Sequence, residues 1–168
     1  RSEPSARSTL RGAGSGFFDA RATASEATGD RAADSIRSLN DVVLEALGFE
    51  PHRETLDLIR NTTDTLTLPV AATAYTGTGL WLVAFDAGLA DSADDLFDDD
   101  PTQAAGEEAE QASAGLLREP GQRRGDKKQI ETAADAVGEL FAVDEPPRFV
   151  LVIGGRIALL AERAKWAE

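Results

Sequence analysis

Four groups of side chains have the types that could do chemistry. His52 stands beside Pro51 and is the only imidazole in the chain, so no mechanism can draw two imidazoles from it. With no Ser or Cys nucleophile motif nearby and no G-x-S-x-G anywhere, His52 reads as a surface or capping residue, not a general base. Gly77-Thr78-Gly79 is a G-x-G after an apolar segment. A dinucleotide site would need a helix and a third glycine to follow, and another strand follows, so the reading is a turn. No phosphate-binding P-loop pattern occurs.

The other two groups are charge runs. Residues 91–110 carry nine acids and no base: Asp91, Asp94, Asp95, Asp98, Asp99, Asp100, Glu107, Glu108 and Glu110. The EF-hand calcium spacing is missing, and Asp91, Asp95 and Asp98 on one helical face would repel. A solvated acidic loop is expected, with a metal-binding or DNA-mimicking face as the alternative. Residues 118–128 hold the one concentrated basic patch, where Arg123, Arg124, Lys127 and Lys128 are candidate phosphate contacts. Against that stands the whole chain. Its 168 residues carry 30 acids and 17 bases, and a net charge of −13 repels nucleic acid. The solvated loop is the stronger reading here too. There is no cysteine, hence no thiolate nucleophile, thiolate metal site or disulfide.

The elements that must position these groups follow from hydrophobic spacing. Ile36, Leu39, Val43 and Leu47 recur at helical intervals, and Gly48 and Pro51 stop the run, which predicts a helix over 31–47. Residues 55–59 and 66–76 read as strands, and 80–85 as a strand apolar on both faces. Gly77 and Gly79 turn 66–76 back onto 80–86 as a hairpin. Residues 104–117 suit a short helix, with Pro120 and Gly121 as breakers. Ile130, Ala133, Ala134, Val137, Leu140 and Phe141 predict a second helix. Residues 148–153 and 156–161 form a hairpin about Gly154-Gly155. This order gives an α+β class, a mixed sheet with helices. Two regions are expected: a flexible low-complexity segment over 1–30, and one domain over 31–168 with an acidic excursion at 91–110 and a basic loop at 118–128. No stretch approaches a membrane span or a secretory apolar core, which leads to a cytoplasmic expectation. The opening Arg1 and the structured-looking tail lead to the expectation of a piece cut from a longer polypeptide.

Three stretches carry a resemblance. They are Leu-Glu-Ala-Leu-Gly-Phe-Glu at 44–50, Leu-Trp-Leu-Val-Ala-Phe-Asp at 80–86, and the segment 149–166 with its Gly154-Gly155 turn and closing Trp166. Together they resemble the N-terminal region of large bacterial class I S-adenosylmethionine-dependent DNA adenine methyltransferases of restriction-modification or phage-defence systems, of the type IIG, BREX or DISARM-like kinds. The match covers about 35–165 in outline, and only the last stretch is specific. It implies a restriction-endonuclease-like fold, intact or degenerate, placed before the methyltransferase domain. S-adenosylmethionine would be the cofactor of the parent, with none in this piece.

A PD-(D/E)xK nuclease needs an acid at the head of one strand, then an acid and a lysine two residues apart on the next. Asp57 or Asp64 can supply the first and Asp86 the second, but position 88 is Gly, not Lys. The target-adenine motif and the Gly-rich cofactor loop are absent as well. The resemblance therefore implies a non-catalytic scaffolding module. Its partners would be methyltransferase or specificity domains of the same polypeptide or other defence-system subunits, with DNA reached only through the parent. Two alternatives stand beside it. One is a Mg²⁺-dependent nuclease with a rearranged site in which Asp57, Asp64 and Asp86 converge and Lys127 or Lys128 supplies the positive charge. The other is an acidic DNA mimic or partner-binding module using 91–110.

Overall fold

The computed structural model describes residues 6–27, 30–97 and 115–166. In these the chain runs α1 (Ala6–Glu26), α2 (Asp30–Leu47), β1 (Glu54–Asn61), β2 (Asp64–Val70), β3 (Ala72–Thr76), β4 (Gly79–Ala90), a 3-10 turn at Asp94–Phe97, β5 (Leu116–Arg123), β6 (Lys128–Thr132), α3 (Ala133–Phe141), β7 (Phe149–Gly155), β8 (Ile157–Glu162) and a second 3-10 turn at Arg163–Lys165. The class is α+β, as the element order predicts. The strands form two four-stranded sheets, β1-β2-β5-β6 and β3-β4-β7-β8. Every pairing is antiparallel except β4 with β7.

The apolar pattern of β4 explains the layering. Leu82 and Ala84 point to one face, where they meet Leu44 of α2 together with Ala72, Leu151 and Ile153. Val83, Phe85 and Ala87 point to the other, against Leu66, Leu68 and Val70 of the first sheet and Ala136, Val137 and Leu140 of α3. A strand covered on both faces must be apolar at successive positions, which is how β4 and β7 read in the sequence. Helix α1 lies on α2 through Phe17, Ala20 and Ala24 against Ile36 and Leu39. At the far end Trp166 stacks near Phe97 and Phe141, with ring centroids 5.6 and 5.9 Å away.

Helix α2 ends as its sequence predicts. Gly48 takes φ +90°, and Phe49 N–H donates to Leu44 O (2.9 Å) while Gly48 N–H donates to Glu45 O (3.0 Å), the paired bonds of a Schellman end. Several expectations need correction. Residues 6–26 form a helix where low-complexity composition led to the expectation of a flexible segment. The stretch 66–76 is two strands in different sheets, broken at Ala71, whose N–H donates to Ala84 O (2.8 Å) and whose carbonyl accepts from His52 N–H (3.0 Å). Only β3 pairs with β4; β2 pairs with β1 and β5, and its β5 ladder, at Leu66 and Thr67, ends before Pro69. Ile130 lies on β6, and α3 starts at Ala133, where the Thr132 side chain accepts from Asp135 N–H (3.1 Å). Pro120 and Gly121 do not break an element: both lie in β5, and a Cβ on Gly121 would stand 2.2 Å from Leu68 Cδ2. Of the expected helix at 104–117, residues 104–114 fall outside the described residues, and Leu116 and Leu117 open β5. The second hairpin turn sits one residue later than its glycine pair suggests: Gly154 pairs with Ile157, and Gly155, at φ +67°, is the corner.

Candidate functional site

Two polar clusters hold two of the three candidate carboxylates, Asp86 and Asp64, and they lie on different sheets. The first surrounds Asp86. Its side chain follows Leu82 and Ala84 in alternation, so it points to the α2 face. Asn40, fully buried on α2, donates from Nδ2 to Asp86 Oδ1 (3.0 Å) and accepts Gly155 N–H on Oδ1 (2.9 Å). Arg53 donates to Asp86 Oδ2 from Nε (3.2 Å) and Nη2 (3.0 Å), and from Nη1 to Asp41 (2.5 Å). A cleft of about 320 Å³ opens here, lined by Arg37, Arg53, Glu54, Asp86, Leu117 and Glu119 among others. The Arg37 Nε in its wall is buried without a hydrogen-bond partner.

The second cluster surrounds Asp64 and Glu139. Arg60 reaches Asp64 (3.8 Å) and Glu139 (3.5 Å); Arg123 reaches Asp64 (3.6 Å), Glu139 (3.2 Å) and Asp126. Lys128 reaches Asp135 (3.1 Å) and Glu139 (3.5 Å). Of the four candidate phosphate contacts, Arg123 and Lys128 are thus engaged by carboxylates of this chain. Arg124 and Lys127 lie exposed in the turn between β5 and β6. The hydrogen bond to Asp126 raises the Arg123 pKa above its usual value, and the one to Asp135 raises that of Lys128.

The Arg123 hydrogen bond, aided by the Lys128 backbone N–H, holds Asp126 far below the ordinary carboxylate range. The native state then binds this proton less tightly than the unfolded chain, where Asp titrates near about 3.9. The contribution of the pair to stability is complete above that pH and drains away as pH falls below it towards the native value. Asp126 is half exposed, so the contribution is small. Denaturant midpoints at pH 7 and pH 3 should therefore move closer together in Asp126→Asn than in the unsubstituted chain; equal gaps would refute the assignment.

Asp57 joins neither cluster. It sits on β1 and accepts from Thr67 Oγ1 (2.6 Å) across the β1–β2 ladder. The carboxylates Asp57, Asp64 and Asp86 each face separate partners, and among the described residues no three acidic or imidazole groups stand together as a metal site. His52 contacts Glu50 O (2.8 Å) and Thr73 Oγ1 (2.9 Å) and stands 3.2 Å from Glu54, tying the α2–β1 loop to β3. Of the acidic row, Asp95 accepts Ser92 N–H (2.8 Å) in a local turn, and hydrogen bonding from Ser92 lowers its pKa. Asp91 pairs with Arg156 (2.5 Å), and residues 98–110, which hold six of the nine acids proposed as a DNA-like face, lie outside the described residues.

Sequence reasoning missed Asn40, Arg53 and Glu139. Asn40 and Glu139 had a signal, each being polar within an apolar helical stripe. Arg53 had none, because its partner is far along the chain. Arg53 occupies Asp86 and Arg123 occupies Asp64, while the one imidazole, His52, stands 2.9 Å from the Thr73 hydroxyl.

The sheet edges differ from one another. β1 carries Glu54, Asp57 and Arg60, and β6 carries Lys128 and Glu131. β3 has five residues and a register irregularity at Ala74/Tyr75. Each of these features discourages a further strand from pairing. β8 has only one of them, the charge of Glu162 at its last position. Ile157-Ala158-Leu159-Leu160-Ala161 is uncharged and proline-free, pairs with β7 over five successive positions without a shift, and leaves Leu160 55% exposed. A mainly apolar groove of about 210 Å³, lined by Phe17, Val43, Ala46, Ile157 and Ala158 among others, runs beside it. No helix among the described residues is long and apolar enough to cross a membrane. The chain matches no protein-family model, no curated protein and no solved structure.

Proposed function

We propose that this chain is a non-catalytic interaction module working in the cytoplasm. By its resemblance in sequence it would stand before the methyltransferase domain of a bacterial defence-system DNA methyltransferase that uses S-adenosylmethionine. Its role is to dock against other domains or subunits while they carry the chemistry and the DNA contact. The observation that carries this reading is the β8 edge, which among the described residues has an uncharged run of five residues with no bulge or proline to keep another strand away. The ion pairs agree with it, since Arg53 occupies Asp86 and Arg123 occupies Asp64.

Incubating supercoiled plasmid with a large excess of the chain and Mg²⁺ or Mn²⁺ tests the non-catalytic part. The expected result is intact plasmid; metal-dependent nicking lost in Asp64→Asn or Asp86→Asn would replace this reading with the nuclease. Reading the gene beyond codon 168 tests the context. A target-adenine motif, [DNS]-P-P-[YFW], is expected there, and an open reading frame without one removes the methyltransferase.

A further inference from the structure

Among the described residues no strand pairs with the outer edge of β8, and its sequence suits its own copy. Arg163 N–H donates to Arg148 O (3.0 Å) across the β7–β8 ladder, and Ile157 closes the hairpin opposite Gly154. Peptide groups alternate in direction along a strand, so the odd-numbered residues of β8 turn theirs to β7. Ala158, Leu160 and Glu162 turn theirs outward. A second strand must meet those outward groups, which allows only registers that pair even-numbered residues with even-numbered ones. For two antiparallel copies of β8, the register centred on Leu159 is the one that pairs all of Ile157-Ala158-Leu159-Leu160-Ala161. It sets Ala158 against the other copy's Leu160, on the face where Leu160 is exposed. It also sets Arg156 against the other copy's Glu162 at each end. The only charges flanking the apolar run are thus opposite in sign and fall opposite one another, twice by symmetry.

We infer that β8 pairs with β8 of a second copy of this chain, centred on Leu159, joining two four-stranded sheets into one of eight strands across a two-fold axis. This deepens the interaction-module reading and rests on it. Both Arg156 and Glu162 have partners within their own chain, Asp91 at 2.5 Å and Arg148 at 3.3 Å. These are surface pairs worth little, so either residue can be reversed without unfolding the domain.

The test is sedimentation velocity of the isolated chain from low to high micromolar concentration, with circular dichroism to verify folding. The unsubstituted chain should pass from monomer to dimer. Arg156→Glu alone, or Glu162→Arg alone, places like charges together at both ends and should weaken the dimer by about tenfold or more. Carrying both reversals in one chain restores opposite charges and should return the affinity to within about threefold of the original. Leu160→Lys should leave a folded monomer. A chain that stays monomeric throughout, or a double reversal no tighter than the single ones, overturns the pairing. A monomer that leaves plasmid intact overturns only this inference, whereas a dimer that cuts plasmid overturns the non-catalytic reading and leaves the pairing standing.

Discussion

Asn40→Leu should lower the unfolding free energy by about 3–4 kcal/mol, a large part of the ~5–15 kcal/mol that holds a domain of this size. The leucine fits a helical stripe that already contains Leu39 and Val43, and helix propensity improves slightly. What is lost is the link between three elements. The Asn40 amide accepts Gly155 N–H at the β7–β8 corner, donates to Asp86 on β4, and stands 3.5 Å from Ile153 O. Without it the Gly155 N–H is buried unpaired, costing about 1–3 kcal/mol, and the Asp86 carboxylate keeps only its Arg53 side. Urea unfolding of both forms at pH 7 measures the loss. A loss under about 1 kcal/mol would mean that neither group depends on Asn40. Asn40→Asp separates charge from shape: it keeps the acceptor for Gly155 but sets a carboxylate against Asp86. It should be the worse substitution at neutral pH and recover part of its loss as the pH falls towards the carboxylate range.

Gly154→Val should cost about 3 kcal/mol, at the upper end of ordinary overpacking. Strand propensity favours the change, because valine suits a strand and glycine does not. Space opposes it. A Cβ at 154 would stand 2.6 Å from Leu96 Cδ2 and 2.9 Å from the Cβ of Ala90. The leucine can rotate, but the alanine Cβ is fixed to the β4 backbone, so a strand or the 94–97 turn must move. Gly138 on α3 is the control, since a Cβ there meets nothing within 4 Å. Gly138→Ala should raise stability by about 0.5–1 kcal/mol through helix propensity and a less flexible unfolded chain. Thermal unfolding of the two variants should therefore move in opposite directions. The same sign for both would show that the space around Gly154 is not as described.

These positions also mark what a single sequence can disclose. Helix α2 was legible from its helical spacing, and β4 and β7 from their unbroken apolar runs, while the two hairpins were legible in outline only. Helix α1 was not. Its inward residues, Phe17, Ala20 and Ala24, do keep helical spacing, but two of the three are alanines, and Gly12, Gly14 and Gly16 weigh against a helix. The change of sheet at Ala71 left no mark either, because Thr-rich apolar sequence suits both strands it joins. Among the charged residues, closeness in sequence misled. Residues 118–128 looked like a basic surface because the acids that occupy Arg123 and Lys128 arrive partly from Asp64 and Glu139, far away along the chain. The Asp86–Arg53 pair was hidden for the same reason, while the missing lysine at Gly88 was plain.

The parallel contact of β4 with β7 bears on how fast the molecule can assemble. These two central strands touch side by side, yet residues 91–148 intervene, including β5, β6 and α3. Closing that loop costs entropy before a single bond between β4 and β7 forms, which places refolding among slow, non-local topologies, about milliseconds to seconds. Until β7 arrives, β4 is an apolar ribbon with one edge open. The early β3–β4 hairpin is the species most exposed to aggregation, and dilute, cool refolding should recover more protein than concentrated, warm refolding.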